Sequence, residues 1–392
     1  MNWENNKSLG DAALKEGRYG EAAKEYSLAV AQAQDERDAA GLRTCQLAFA
    51  EILDRQGNFN GAKEALEHAI DGLKEDSEEH ALDYATVLNA QGNNLINRKE
   101  FVQAEEKLRQ ALSIRTKKLG ADSPQVADTV FLIGKALLAD GKLKQAEAPL
   151  SQALGLREKV LGRSNELYAE SLAALGALFV ALRNDTLAEV LLRRALETQE
   201  RLLGRGHPAT ASTMNTFANL LLQKGQHDKA IKEWNKALPI LEKNLNEQHP
   251  LLIAVYNGVG SAQLHSAQFR AARESFERSL KLSERDPEGN RGSLLASLVG
   301  MGMCVSMLRD FKTAEPYFER AKTLVERNQN EPRLLEGLFT CYLIQGKFAQ
   351  ALHLVPDQVR VMNESHLTGY VDMLNMVMSL AEKYAGVRKE DE

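Results

Sequence analysis

Apolar residues along this chain fall into short stripes at helical spacing, not into strand-like alternation. Val130, Ile133, Leu137 and Leu138 form one stripe ahead of Gly141, and Leu150, Leu154 and Leu161 form another beyond it. Glycine takes the left-handed conformation that ends a helix at little cost, so Gly141 marks a join and the two stripes predict a helical hairpin. The join recurs. Gly17-Arg18-Tyr19-Gly20-Glu21-Ala22, Gly57-Asn58-Phe59-Asn60-Gly61-Ala62 and Gly346-Lys347-Phe348-Ala349-Gln350-Ala351 share a Gly-x-Tyr/Phe-x-x-Ala pattern, and degenerate copies lie between them.

The final alanine of the pattern stands at Ala22, Ala62, Ala104, Ala146, Ala188, Ala230, Ala272, Ala314 and Ala351, in steps of 40, then 42 six times, then 37. A second small column follows seven residues later, from Ala29 through Ala153 to Ser279 and Ala321. A third precedes the alanine by twelve, at Gly10, Ala50, Gly92, Gly134, Gly176, Ala218, Gly260 and Gly302. Small side chains at fixed places let helix axes approach closely, so these columns are read as packing contacts. Between hairpins stand Leu119-Gly120-Ala121-Asp122-Ser123-Pro124, Leu203-Gly204-Arg205-Gly206-His207-Pro208 and Leu245-Asn246-Glu247-Gln248-His249-Pro250. Glycine or asparagine stops one helix there, and proline suits the first turn of the next, where its missing N–H is not needed. The linker at Leu161-Gly162-Arg163-Ser164-Asn165-Glu166 keeps the Leu-Gly but has Glu166 in place of proline.

At 392 residues the chain exceeds what one hydrophobic core organises, a limit that repeats escape because each buries its apolar face against its neighbours. The formal charge of −5 gives no global basic field for nucleic acid or anionic lipid. A basic column at Lys117, Lys159, Arg201, Lys243, Arg285 and Arg327 is better explained by helix C-terminal dipoles than by a phosphate backbone, because acids adjoin most of its members. No apolar run approaches membrane-spanning length and the first residues carry no secretory h-region, so a cytoplasmic protein is expected. Cys45, Cys304 and Cys341 are far apart and outside metal spacing, which predicts reduced core thiols.

The hairpin with three small columns resembles the tetratricopeptide repeat, and its 42-residue form with Leu-Gly-x-x-His-Pro linkers is similar to arrays of kinesin light chains and nephrocystin-3-like bacterial proteins. The likeness covers roughly residues 3 to 355 and is best between 81 and 285. No long heptad segment precedes the array, so an actual kinesin light chain is not expected. The expected fold is all-α: a right-handed superhelical solenoid of tetratricopeptide hairpins, with about eight full repeats, a truncated ninth and a C-terminal capping helix. The array is assigned to residues 1–356 and the cap and tail to 357–392. In that last segment Leu367, Val371, Leu374, Val377 and Leu380 form an apolar face, and Met362, Met373, Met376 and Met378 leave a second binding surface open.

The resemblance implies that the first helix of each hairpin lines a concave groove, and that the positions 15 and 11 before each motif alanine face it. Lying four apart, they share a helix face. Asparagine occurs five times in these columns, at Asn89, Asn93, Asn215, Asn219 and Asn257, although it is a mediocre helix-interior residue. A side-chain amide donates to a peptide carbonyl and accepts from a peptide N–H, so such a row suits an extended backbone. The expected groove therefore comprises Asn89, Asn93, Phe131, Lys135, Asn215, Asn219, Asn257 and Ser261, with an apolar patch at Phe131, Ala173 and Ala177. Asp11 and Glu51 would repel the acidic terminus of a chaperone.

No phosphate loop, nucleophile elbow or zinc-spaced histidine pair occurs, and His207 and His249 belong to the linkers. No catalytic residue, metal or cofactor is assigned. The expected function is a protein-interaction scaffold holding an extended partner peptide, with no nucleic-acid or membrane partner and an open oligomeric state. The alternative is a regulatory sensor whose superhelix changes pitch on binding a peptide or signal and so switches a partner.

Overall fold

The computed structural model describes residues 2–71, 73, 80–325, 331–351, 353 and 354. Among them are seventeen helices and no strand, and they fall into two compact units, Met1–His249 and Pro250–Glu392. The first unit pairs α1 (Trp3–Lys15) with α2 (Tyr19–Asp35), α3 (Ala39–Gln56) with α4 (Phe59–Ile70), and α5 (Ala81–Asn97) with α6 (Phe101–Leu119). It continues with α7 (Pro124–Ala139) and α8 (Leu143–Leu161), α9 (Glu166–Ala181) and α10 (Asp185–Leu202), and α11 (Pro208–Gln223) and α12 (His227–Asn244). The second unit pairs α13 (Pro250–His265) with α14 (Phe269–Ser283) and α15 (Arg291–Met307) with α16 (Phe311–Leu324), then adds α17 (Pro332–Ile344) and is helical again from Phe348. The expected C-terminal cap lies outside the described residues.

Several helices start where a side chain satisfies orphan amides of the first turn. Ser123 Oγ accepts from the Val126 N–H at 3.2 Å and Pro124 takes the first helical position. Where proline is replaced by Glu166, Asn165 caps α9 through the Leu167 N–H at 2.9 Å. His207 does the same for α11 with its imidazole, Nδ1 accepting from the Ala209 N–H at 3.1 Å. At the joins within hairpins the backbone is left-handed every time, at Gly17, Gly57, Lys99, Gly141, Arg183, Gly225, Ala267, Arg309 and Gly346. Four of these are not glycine, so the turn is imposed there by the packing of the flanking helices.

The small columns behave as expected. The motif alanines from Ala22 to Ala314 are fully buried. In the third column a Cβ on Gly92, Gly134 or Gly176 would stand 2.5 to 2.7 Å from Cγ of Leu108, Leu150 or Leu192 on the partner helix. Those leucines are themselves fully buried, so each hairpin locks through one small-to-large contact sixteen residues apart.

The first unit also closes on itself. A Cβ on Gly17 would stand 2.6 Å from Pro208 Cδ and 2.9 Å from His207 Cδ2, and one on Gly57 would stand 2.7 Å from His249 Cδ2. Tyr19 meets His207 edge-on with ring centroids 6.4 Å apart, and Phe59 meets His249 at 6.1 Å. The Asn246 N–H donates to the Gln56 carbonyl at 2.9 Å, and Leu245 packs against the core of Ala13, Tyr19, Tyr26 and Ile52. The turns of the first two hairpins thus rest on the linkers that follow the fifth and sixth.

Candidate ligand groove

Closure turns the inner helix faces of the first unit into a cavity of about 660 Å³, within the range of small-ligand and peptide pockets. Its wall includes both groove positions of four successive hairpins: Lys7 and Asp11, Leu47 and Glu51, Asn89 and Asn93, Phe131 and Lys135. Four of the eight expected groove residues therefore meet in one place. A smaller cavity of about 230 Å³ in the second unit is lined by Asn257 and Ser261 with the apolar Leu264, Phe276, Val299 and Met303. Asn215 and Asn219 line neither. Asn215 is buried and accepts from Trp234 Nε1–H at 2.8 Å, which ties α11 to α12, while Asn219 is exposed. Asn257 joins α13 to α15, donating to the Ser293 carbonyl at 3.1 Å and accepting from Ser297 Oγ at 3.0 Å.

Lys135 Nζ donates to Asn93 Oδ1 at 3.1 Å and makes no ion pair within 4 Å among the described residues. Burial pulls its ammonium below the ordinary lysine range against the attraction of Glu170 and Asp54. The carbonyl oxygen of Asn89 is shielded from solvent and has no hydrogen-bond partner among the described residues. Two features of the wall were not read from the sequence. Asp54 is buried beside Asn94, whose amide donates to it at 2.7 Å and to the Phe59 carbonyl at 2.9 Å. Burial pushes Asp54 up to about 6, although the amides of Asn94 and Asn97, Lys135 and the Asn93 amide all pull it down. The second feature is a pair of buried arginines 42 residues apart on second helices, Arg115 and Arg157.

Each arginine reaches across to the next hairpin. Arg115 donates to the Gln125 carbonyl at 3.0 Å and Thr129 Oγ1 at 2.9 Å, and Arg157 to the Leu167 carbonyl at 2.9 Å and Ser171 Oγ at 2.8 Å. Arg157 also pairs with Asp128 at 2.9 Å and Glu170 at 3.2 Å and lies 4.1 Å over the Phe131 ring. A search for arginine followed fourteen residues later by Ser or Thr would have found both. The other carboxylates of the cavity are occupied as well: Asp11 by Lys7 at 2.8 Å and Glu51 by Arg55 at 2.9 Å.

The three cysteines are buried and unpaired by disulfides, and burial pushes Cys45 up to about 11 and Cys304 up to about 12, so neither offers a thiolate. Among the described residues no group of three or more His, Cys, Asp or Glu side chains could hold a metal, and no helix is long and apolar enough to cross a membrane.

The tetratricopeptide repeat pattern matches residues 83–159, 167–243, 215–285 and 251–327, together more than half of the chain. No curated protein matches the sequence. Among solved structures, a Rap protein complexed with competence and sporulation factor is 13% identical, with 87% of this chain and 98% of that one covered and a TM-score of 0.57. The apo form of RapI is 12% identical, with coverages of 88% and 98% and a TM-score of 0.52. BtubC (BKLC) from P. vanneervenii is 20% identical, with coverages of 60% and 92% and a TM-score of 0.44. At these identities the likeness to the Rap structures is one of fold.

Proposed function

The chain belongs to the tetratricopeptide repeat family, and from that premise we propose that it is a non-catalytic, cytoplasmic interaction scaffold that holds an extended peptide segment of a partner protein in its first unit. The observation that carries this reading is the convergence of Asn89, Asn93, Phe131 and Lys135 on one cavity of about 660 Å³. The amides supply backbone hydrogen bonds, Phe131 supplies an apolar surface and Lys135 a charge, a combination suited to a peptide and without the nucleophile or metal ligands of an enzyme site. Asn215 and Asn257 contribute to the packing of the array in this reading, and Asn219 and Ser261 are left outside the principal site.

The test compares wild type with a variant carrying Asn89→Ala and Asn93→Ala in a pull-down from the native cell extract, after circular dichroism has shown equal helicity. Loss of the captured partner by about tenfold, the size of one or two hydrogen bonds, is expected. Equal capture by both proteins overturns the groove.

The closure of the first unit favours a second reading, in which binding changes the pitch and switches the partner. The contacts of Gly17 with His207 and of Gly57 with His249 join hairpins distant in sequence and would break if the turn loosened. Spin labels at the exposed Glu21 and Arg205 report that distance. A shift on partner binding selects the sensor, and an unchanged distance the scaffold.

A further inference from the structure

Two linkers of the first unit do more than start the next helix. Elsewhere in the unit Ser123 and Asn165 cap the first turn, so capping does not require a histidine. His207 is 3% exposed and stands between elements far apart in sequence. Its Nδ1 accepts from the Ala209 N–H at 3.1 Å, which leaves the ring proton on Nε2. On that side lies the turn of the first hairpin. A Cβ on Gly17 would stand 2.9 Å from Cδ2 and 3.3 Å from Nε2, Tyr19 meets the ring edge-on, and the Leu14 carbonyl at the end of α1 favours an N–H on the ring. His249 stands in the same relation to the turn of the second hairpin, with Gly57 and Phe59 against its ring and the Asn246–Gln56 bond beside it. Both places suit a neutral imidazole. A second proton on His207 would set an N–H on Nδ1 against the Ala209 N–H it now accepts, and a proton on His249 would put a charge into a buried seam.

We propose that the closure of the first unit is a proton-operated clasp, in which His207 and His249 hold the turns of the first two hairpins as neutral rings and release them on protonation, opening the cavity. The inference goes beyond the groove reading and is independent of what the groove holds. Burial pulls His207 below the ordinary histidine range; the Leu14 carbonyl resists this and the Arg55 guanidinium adds to it. Burial pulls His249 down to about 4. Once the turns part, both rings meet water and regain an ordinary value of about 6.5. The open form then takes up protons that the closed form refuses. Closure is therefore at full strength above about pH 6.5 and weakens as pH falls below it, by up to about tenfold per unit for each ring. The other charged groups around the clasp do not produce this response. Arg55 on α3 is paired with Glu51, Arg18 beside α2 with Glu16 and Glu21, and Arg205 in the linker with Glu200. Burial keeps Tyr19 on α2 a neutral phenol. Burial pushes Glu166 on α9 up, against the pull of Arg55 and of Lys15 on α1, and pushes Asp54 on α3 up to about 6. A buried carboxyl with a raised value favours the folded arrangement in acid, so these two act with the opposite sign to the rings. Acid thus steadies Asp54 between α3 and α5 while it loosens the contacts between distant hairpins, and a distance across the closure separates the two effects.

The experiment places spin labels at Glu21 and Arg205 of the full-length protein and measures their separation from about pH 7.5 to about pH 5. A parallel titration reads the ring nitrogen shifts of His207 and His249, and circular dichroism checks that helicity is unchanged. A single short separation is expected at the upper end. Toward the lower end a long component is expected to grow, the closed-to-open ratio falling about tenfold or more per unit, in step with protonation of the two rings. The double variant His207→Asn, His249→Asn keeps a capping oxygen of the kind Asn165 supplies but cannot titrate, and its separation, short or long, is expected not to change with pH. A separation that stays short to the lower end, a long component that grows while both rings are still neutral, or a pH response that survives in the double variant overturns the clasp. Partner capture through Asn89 and Asn93 at about pH 7.5, above the window, judges the groove separately.

Discussion

In the first unit the polar side chains buried between hairpins include charged ones, Asp54, Arg115 and Arg157, at 6%, 5% and 2% exposure, whereas among the described residues of the second they are Ser275, Ser279, Ser283, Ser297 and Asn290. The hairpin is the same in both, and so is the place where one hairpin meets the next, but the reach of the joining group differs. A guanidinium spans from α6 to α7 or from α8 to α9 and still faces the cavity, so the joints of the first unit put charge on its inner wall. A serine reaches only a neighbour: Ser279 and Ser297 meet at 2.9 Å between α14 and α15, and Ser297 continues to Asn257 at 3.0 Å. Close approach is assisted there by Gly300 on α15, where a Cβ would stand 2.5 Å from Cζ of the buried ring of Phe276 on α14. A tight joint leaves a small cavity and a long-reaching joint leaves a larger one with more charged side chains on its wall. The site's chemistry is therefore a by-product of how neighbouring hairpins are fastened.

The most forceful way to break this comparison is to cut one joint of each kind. Arg157→Ala removes hydrogen bonds to Leu167 and Ser171, two ion pairs and the packing over Phe131, and is expected to cost about 3–4 kcal/mol. Ser297→Ala removes three hydroxyl contacts, to Ser279, Asn257 and the Ser293 carbonyl, but leaves the helices close, and is expected to cost about 1–2 kcal/mol. Native-state amide exchange in α8 and α9, against α14 and α15, reads the two losses separately. Equal costs would mean that the guanidinium is a passenger on the joint.

Asp54 gives the comparison a pH axis. Its folded value of about 6 lies above the roughly 3.9 of an unfolded aspartate, so between these values the folded state binds the extra proton. Below about pH 4 both states are protonated and no penalty exists; as pH rises through the folded value the first unit loses stability, and above it the loss is complete. About two units at about 1.4 kcal/mol each predict a loss near 3 kcal/mol. Asp54→Asn is expected to remove that slope from exchange in α3 and α5 and to leave α15 untouched, because no buried carboxylate is present among the described residues of the second unit. An unchanged slope in the variant would assign the pH response to other groups.

The skeleton was legible because it is built from local events that repeat. The motif alanine and the small column before it fixed both helices of a hairpin and their contact, and the linker prolines fixed the helix starts at Pro124 and Pro208. The site was only half legible. Column arithmetic brought Asn89, Asn93, Phe131 and Lys135 to one cavity, yet the same arithmetic assigned Asn215 to the groove, where the indole of Trp234 claims its carbonyl. Periodicity says which way a side chain leaves its helix, not what it meets. Asp54 and Asn94 belong to no groove column, and Arg115 and Arg157 stand on second helices, so nothing in a column-by-column reading drew attention to them. Closure of the first unit was invisible for a related reason: it joins hairpins nearly two hundred residues apart, as between Phe59 and His249.

That closure supplies the finest test of the difference between units, because it asks more of some turns than of others. Gly57 and Gly141 both sit at joins with left-handed backbone, φ 91° and 75°, where any other residue is strained by about 1–2 kcal/mol. Gly141 has open space around the missing Cβ, so Gly141→Ala should cost about 1 kcal/mol and no more. Gly57→Ala adds a methyl 2.7 Å from the His249 ring, and forcing that ring away should raise the cost to about 2–3 kcal/mol while loosening the contact with Phe59. In the second unit the equivalent position already carries Ala267 at φ 57°, so Ala267→Gly should change stability by only about 0.5 kcal/mol in either direction, strain relief being offset by glycine's greater freedom when unfolded. Urea unfolding of the three variants, with circular dichroism as the readout, checks the order. If Gly57→Ala and Gly141→Ala cost the same, the histidine linker only lies beside the second hairpin and does not hold it, and the cavity of the first unit owes its shape to the curvature of the array alone.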